Sequence, residues 1–251
     1  MGVYAGPAEY WYNSNEGRTS QSTRIVVQDG LVLNLDAGAS TSYPGSGTSW
    51  TDLSGNGNTG TLVNGVGFDS ANGGSLSFDG VNDYIDCGNI LNFTTENFTF
   101  NIFFYLTTTT TNNPTQGPVL FYKGAFQQNG YYIQISRTSP SAASFITNQS
   151  GLYQDTVSSP SLVVGAWNYL SVVRVGSTVA IYINGVNSTS IAGTHLNPGG
   201  SGDNFLLSAY ITGGGTIFSN IRIASFQAYN RALAAEEVQQ NYNALRSRFG
   251  I

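Results

Sequence analysis

Residues 179–190 read Val-Ala-Ile-Tyr-Ile-Asn-Gly-Val-Asn-Ser-Thr-Ser, and this stretch decides the fold class. Val179, Ile181 and Ile183 alternate with Ala180 and Tyr182, the period of two that turns one side of a strand toward a core. Asn184-Gly185 then interrupts the run, and both residue types accept the positive φ that the centre of a type I′ turn demands. The stretch predicts a β-hairpin of residues 179–183 and 186–190.

The same period recurs on either side. Leu31, Leu33 and Leu35 alternate with Val32 and Asn34, and further strands are predicted at 75–78, 84–86, 98–105, 119–122, 131–136, 167–175, 205–209 and 221–229. Residues 37–72 read as loop, dense in turn formers such as Tyr43-Pro44-Gly45 and Gly55-Asn56-Gly57, and residues 107–113 read as a loop tip. One helix is predicted at 232–249, where Leu233, Val238, Tyr242, Leu245 and Phe249 fall close to one stripe. Glu236 and Glu237 in its first turn and Arg246 and Arg248 in its last suit the helix dipole. Such a tail is expected to pack across a sandwich edge or against a neighbour. Strands with one terminal helix, and no alternation of strand and helix, give an all-β sandwich over residues 29–251. Residues 1–28 read as an N-terminal arm whose Tyr10-Trp11-Tyr12 would be covered by its own domain or dock on a partner.

Composition excludes several functions. Only 9% of the 251 residues are charged, with 9 basic against 14 acidic and a formal net charge of -5. Soluble chains average about a quarter charged residues. The basic residues are scattered, so few phosphates can be neutralised and nucleic acid is not expected as a partner. No window reaches the roughly 18–20 apolar residues of a membrane span. The single cysteine, Cys87, cannot form an internal disulfide. Met1 to Pro7 shows neither a basic nor an apolar signal region, so export by a signal peptide is not expected.

Five motifs then occur in order. They are Asp52-Leu53-Ser54-Gly55-Asn56-Gly57-Asn58, Phe78-Asp79-Gly80-Val81-Asn82-Asp83-Tyr84, Gly165-Ala166-Trp167-Asn168, Ile181-Tyr182-Ile183-Asn184-Gly185, and the run from Tyr229-Asn230-Arg231 to Glu237-Val238. Together, over residues 29–245, they resemble the concanavalin A-like jelly roll in its laminin-G-like form. The resemblance implies a jelly-roll β-sandwich with an N-terminal arm and one short C-terminal helix. Members usually carry Ser at the position of Ala234, so the N-cap of that helix is expected to be lost here. Gly30 to Ala37 with Ser42-Tyr43-Pro44-Gly45, and the tail from Asn241 to Ile251, are similar to structural proteins of marine tailed bacteriophages.

Catalysis finds little support. Glycan hydrolysis needs two carboxylates about 5–10 Å apart, commonly at alternating strand positions. Glu9, Glu16, Glu96, Glu236 and Glu237 show no such pattern, and Asp79 and Asp83 belong to a turn motif. The lone histidine, His195, sits among glycines and reads as a solvated loop residue. The chain is therefore expected not to be an enzyme. Related jelly rolls often hold calcium, and Asp52 and Asn56 have a faintly calcium-loop-like spacing. Ala224-Ser225 stand where the family often carries Asp-Glu, so no cofactor is expected to be required and calcium is not expected to bind.

Glycan binding is what the fold resemblance implies, with Tyr43, Trp50, Phe126, Tyr153 and Tyr210 as the aromatic platforms for sugar rings. The phage resemblance implies a non-enzymatic virion structural protein, a head decoration or a tail or fibre surface module. It would be made in the host cytoplasm, displayed on the virion surface, and partnered by other virion proteins, by its own copies or by host glycans. The alternative is an extracellular carbohydrate-binding lectin module of a secreted bacterial protein.

Overall fold

The computed structural model describes residues 25–137, 141–212 and 215–251. Two antiparallel sheets stack face to face. The first is centred on Phe98–Leu106, with Trp167–Val175, Thr178–Ile183 and Val186–Asn187 to one side. Ile221–Tyr229 lies on its other side, pairing with both Leu31–Asp36 and Ser75–Ser77, and Gly67–Asp69 closes that edge. The second sheet runs in the order Thr189–Ile191, Leu152–Ser158, Ala143–Gln149, Asn129–Ile135, Val119–Ala125, Leu206–Leu207, Tyr84–Asp86, Gly60–Val63 and Ser49–Trp50. A separate hairpin, Ala209–Thr212 and Gly215–Phe218, lies outside it. The all-β jelly-roll sandwich read from the sequence is the observed fold.

The period of two explains the layering. From Phe98–Leu106, the side chains of Phe98, Phe100, Ile102, Phe104 and Leu106 enter the core between the sheets, where they meet Phe121, Tyr131, Ile133 and Phe145. Phe100 and Phe121 have ring centroids 4.7 Å apart. Truncating one such ring to Ala typically costs 3–5 kcal/mol, roughly. Phe103 faces the other way, and there the helix lies.

That helix is shorter than expected and sits elsewhere. It spans Ala235–Leu245, followed by a 3-10 turn at Arg246–Arg248. It lies on the outer face of the first sheet rather than across an edge, because that face is itself apolar. Phe103, Tyr169, Val173 and Tyr229 of the sheet pack with Val238, Tyr242 and Phe249. The Phe249 ring stacks 5.0 Å from Phe103 and 4.5 Å from Trp167. Residues 232–234 stay outside the helix because Thr99 latches them: its hydroxyl donates to the Arg231 carbonyl (3.0 Å) and accepts from Leu233 N–H (2.9 Å). Ala234 is the N-cap and offers no side-chain acceptor, yet the return half of a capping box survives. Glu237 accepts from Ala234 N–H at 2.9 Å and is held by both terminal nitrogens of Arg231.

The Asn184-Gly185 turn forms as read, with φ of 50° and 79° between Thr178–Ile183 and Val186–Asn187. Gly185 is required twice over, since a Cβ there would also meet Gln239 and Tyr242 of the helix at under 3 Å. The last residues assigned to the arm are part of the domain. Val27 N–H donates to Asn241 of the helix (2.7 Å), and its carbonyl accepts from Tyr229 Oη (3.0 Å). Tyr10, Trp11 and Tyr12 lie outside the described residues.

Candidate functional site

The outer face of the second sheet is the one without a helix. Strand alternation sends Tyr122 and Tyr132 to it as direct cross-strand neighbours, flanked by Leu206 and Ile146 in the same row. The hairpin of Ala209–Thr212 and Gly215–Phe218 folds over that row as a ridge. Tyr210 places its ring 4.5 Å from Tyr122 and edge-on at 5.6 Å to Tyr132, while Ile217 joins the same cluster. The ridge is pinned at its side by Asn112, whose amide donates to the Thr216 carbonyl (3.0 Å) and accepts from Phe218 N–H (3.2 Å).

A cleft of about 620 Å³ opens on one flank of this ridge, lined among others by Asn113, Gln116, Phe126, Gln128, Tyr210 and Ile217. No charged side chain borders it among the described residues. Phe126 is 41% exposed and Tyr153, 47% exposed, packs against it with centroids 5.1 Å apart. The loop behind the cleft is stiffened by its own bonds: Asn113 Oδ1 accepts from Thr115 and Gln116 N–H groups, and Arg137 donates to the carbonyls of Asn113 and Gln116. Exposed ring faces beside amides and hydroxyls can stack on an apolar ring face and bond its polar rim.

The other flank carries a cleft of about 370 Å³ bordered by Tyr84, Asp86, Tyr122, Asp203, Asn204 and Leu206. Both carboxylates are engaged by their own loops. Asp86 accepts from Gly88 N–H and from the Asn204 amide, and Asp203 accepts from the Ser201 hydroxyl at 2.6 Å. Beneath them Lys123 is buried, donating to the Asp203 carbonyl (2.6 Å) and Asn89 Oδ1 (2.9 Å). Burial lowers its ammonium pKa to about 8, against the opposing pull of Asp203.

Residues 78–239, more than half of the chain, match the family Laminin_G_3, described as the concanavalin A-like lectin/glucanases superfamily. The chain belongs to that superfamily. Among solved structures, this concanavalin A-like chain is similar to the binding domain of Paraclostridial Mosquitocidal Protein 1 (18% identity, TM-score 0.67), covering 86% of this chain and 52% of that one. It is similar to the botulinum neurotoxin serotype D binding domain (15%, TM-score 0.63), with the same coverage of 86% and 52%. It spans about half the length of these toxin domains. Domain 4 of AbnA, an extracellular arabinanase from Geobacillus stearothermophilus, solved with arabinotriose, matches at 16% identity and TM-score 0.62, covering 84% of this chain and 98% of that one. At such identities the likeness speaks for the fold alone. No curated protein matches the sequence.

On this concanavalin A-like scaffold, two of the five expected aromatic platforms, Phe126 and Tyr210, line the neutral cleft, and a third, Tyr153, packs against Phe126. Tyr43 and Trp50 do neither. Both are buried in the core between the sheets: the pairing of Ser49–Trp50 with Gly60–Val63 turns the Trp50 ring inward, and Tyr43 packs against Phe68 with its hydroxyl donating to the Gly47 carbonyl. Asp52 serves the structure of its loop. Its carboxylate accepts from Asn34 N–H, Ser54 N–H, the Ser54 hydroxyl and Asn58 N–H, while the Asn56 amide donates to Leu31 and Ser54.

His195 is not solvated. It is almost fully buried, with Nδ1 2.9 Å from the Thr147 hydroxyl and Nε2 2.8 Å from that of Thr156. Burial, assisted by the charge of Arg174, lowers its pKa to about 4, so it is neutral near pH 7. Cys87 is buried, and burial raises its thiol pKa far above the ordinary range.

Sequence reasoning missed Asn113, Gln116 and Gln128 of the cleft, and Tyr122 and Tyr132 beneath the ridge. For the two tyrosines a signal existed, since strand alternation through Ile133 and Ile135 already placed Tyr132 on the opposite face. For the amides none did, because they come from loops.

Proposed function

We propose that the chain is a non-catalytic carbohydrate-binding module that grips a neutral glycan in the cleft between the 209–218 hairpin and the 126–128 turn. The carrying observation is that Phe126, backed by Tyr153, and Tyr210 line one open cleft whose other walls are amides, the Thr115 and Thr212 side chains, Ala125, Ile217 and backbone, with no charged side chain among the described residues. The arabinotriose-bound arabinanase domain of the same fold supports a sugar as the ligand class. The test is a glycan array followed by calorimetric titration of the best ligand. Phe126→Ala and Tyr153→Ala are each expected to weaken binding about tenfold or more, the scale of a lost buried aromatic contact. Binding unchanged in both variants would remove the cleft from the account.

The setting we propose is the surface of a virion, with a secreted bacterial protein as the alternative. The first rests on the resemblance of residues 30–37, 42–45 and 241–251 to phage structural proteins; these segments also touch in the fold. Arg248 of the tail grips both carboxylate oxygens of Asp36 in the first strand at 2.8 and 2.9 Å. Detection of the chain in purified virions, and not in secretions of uninfected cells, is the expected result; the reverse distribution would favour the alternative.

A further inference from the structure

The acidic cleft on the far flank of the hairpin is built on one cross-strand row. Asp86, Leu206 and Tyr122 stand side by side on three adjacent strands, while their neighbours Ile85, Leu207 and Phe121 turn into the core. Asp86 and Tyr122 therefore face each other across Leu206 at two strand spacings, roughly 10 Å. Tyr84, two residues before Asp86, shares that face, and Ile211 borders the gap from the hairpin. The result is an apolar floor with a carboxylate on one side and a phenol on the other. Asp203 and Asn204 complete the border.

Tyr122 is the decisive member. It is only 2% exposed, its hydroxyl has no hydrogen-bond partner among the described residues, and the surface it keeps opens on this cleft. A hydroxyl withdrawn from water without a partner is costly, and an acceptor on a ligand relieves it. Burial, with Tyr210 and Asp203 nearby, raises its pKa, so it stays protonated and able to donate. The opposite border is rich in acceptors. Asp203 Oδ2 takes the Ser201 hydroxyl while its Oδ1 takes nothing, and Asn204 spends an amide N–H on Asp86 and keeps its own oxygen idle. No ion pair among the described residues engages Asp86 or Asp203. Lys123 turns its ammonium inward to Asn89 and the Asp203 carbonyl, so two carboxylates border the opening over one buried cation.

We propose that this cleft, separate from the neutral one, binds a sugar unit bearing a free amino group, a hexosamine in its ammonium form. The sugar ring lies over Leu206, its ammonium toward Asp86 and Asp203, and one of its hydroxyl oxygens accepts from Tyr122. A cation answers a border of net negative charge that a neutral sugar leaves uncompensated, and charge-assisted bonds to carboxylates are the stronger kind. The rings of Tyr84 and Tyr122 are favourable neighbours for that cation. A ring fits better than a lysine side chain because the carboxylates and the phenol stand on opposite borders. A thin aliphatic chain that brought one ammonium to Asp203 would leave the Tyr122 hydroxyl unanswered.

The test is an NMR shift titration of the full chain, read at the amides of residues 84–86 and 202–206. The probes are a glucosamine trisaccharide, its fully N-acetylated counterpart and a short lysine-containing peptide. The glucosamine trisaccharide is expected to shift these amides saturably, about tenfold more tightly than either other probe, and to weaken as salt is raised. Asp203→Asn and Asp86→Asn are each expected to weaken it about tenfold, and Tyr122→Phe about fivefold. Glu236→Gln, which removes the same charge from the exposed side of the helix, is expected to leave it unchanged. Asp203 is exposed, so its variant carries the test should Asp86→Asn disturb the Asn204 loop. No saturable shift with the glucosamine trisaccharide, equal binding of its N-acetylated counterpart, tighter binding of the peptide, or wild-type binding in both Asp203→Asn and Tyr122→Phe would each overturn the site. Because the readout is confined to these amides, the outcome stands apart from that for the neutral cleft.

Discussion

Tyr210 rests its ring 4.5 Å from that of Tyr122, so one residue both clamps the hairpin to the second sheet and forms a wall of the neutral cleft. Tyr122 lies beneath the ridge and borders only the opposite cleft. Removing it is therefore expected to act on the neutral cleft indirectly. Tyr122→Ala should lower thermal stability and weaken glycan binding together, whereas exposed Phe126→Ala should weaken binding with a stability change within about ±0.5 kcal/mol. Paired calorimetry and melting curves check this; a Tyr122→Ala protein of full affinity would show that the hairpin holds itself.

The helix start gives a second expectation. Ala234 is the N-cap without a side-chain acceptor, and Glu237 already completes the other half of the box. Ala234→Ser adds the missing oxygen for the N3 backbone N–H. The gain is about 1 kcal/mol, which for a chain of this size raises the melting temperature by roughly 2–4 °C. An unchanged melting temperature would mean that the Arg231–Glu237 pair already supplies all the capping this helix can use.

A third concerns acid. His195 has a folded-state pKa lowered to about 4, so below the unfolded value of about 6.5 the unfolded chain binds the extra proton first. Its contribution is complete above pH 6.5, falls as the pH drops through that window and levels off below about 4. Between pH 6.5 and 5 the loss is roughly 2 kcal/mol. His195→Gln, which can still bond the two threonine hydroxyls, should flatten the urea-measured slope in that range, and an identical slope in both proteins would contradict the assignment.

Arg248 offers a fourth. It ties the tail to Asp36 through two bonds, within a pair that is about one-fifth exposed on each side, and adds weaker bonds to the carbonyls of Gly73 and Gly74. Arg248→Ala should cost about 1–3 kcal/mol in urea unfolding, and Arg248→Lys should recover only part of it, because an ammonium can repeat the contact of Nη1 with Asp36 but not, at the same time, the bonds of Nη2 to the Gly73 and Gly74 carbonyls. Full recovery by Lys would show that charge alone matters there.

How much of this was legible depended on the residue's neighbours in sequence. The strands at Trp167–Val175 and Ile221–Tyr229 were plain because branched and aromatic residues fill them, and the Asn184-Gly185 turn because its φ requirement is local. Ala143–Gln149 and Leu152–Ser158 were not read as strands, since Ser, Thr, Asn and Gln dilute their alternation. Trp50 looked like a loop ring because Ser and Gly surround it, and only pairing with Gly60 sends it inward. His195 looked solvated for the same reason; Thr147 and Thr156, which enclose it, lie 48 and 39 residues away. Of the cleft, the aromatic side chains were legible by type, but their convergence was set by a hairpin whose partner strand, Gly215–Phe218, had not been read as one.

Lys123 is the only lysine in the sequence, and its ammonium is sealed between Asn89 and the Asp203 carbonyl. Succinimidyl esters and aldehydes, the usual reagents for dye coupling and chemical fixation, therefore meet no exposed lysine side chain on this fold. A single lysine introduced on the solvent side of the Ala235–Leu245 helix would become the one exposed lysine side chain, a conjugation handle sharing its reagents only with the α-amino group. It would immobilise the protein by the face opposite the aromatic cleft and leave that cleft turned outward.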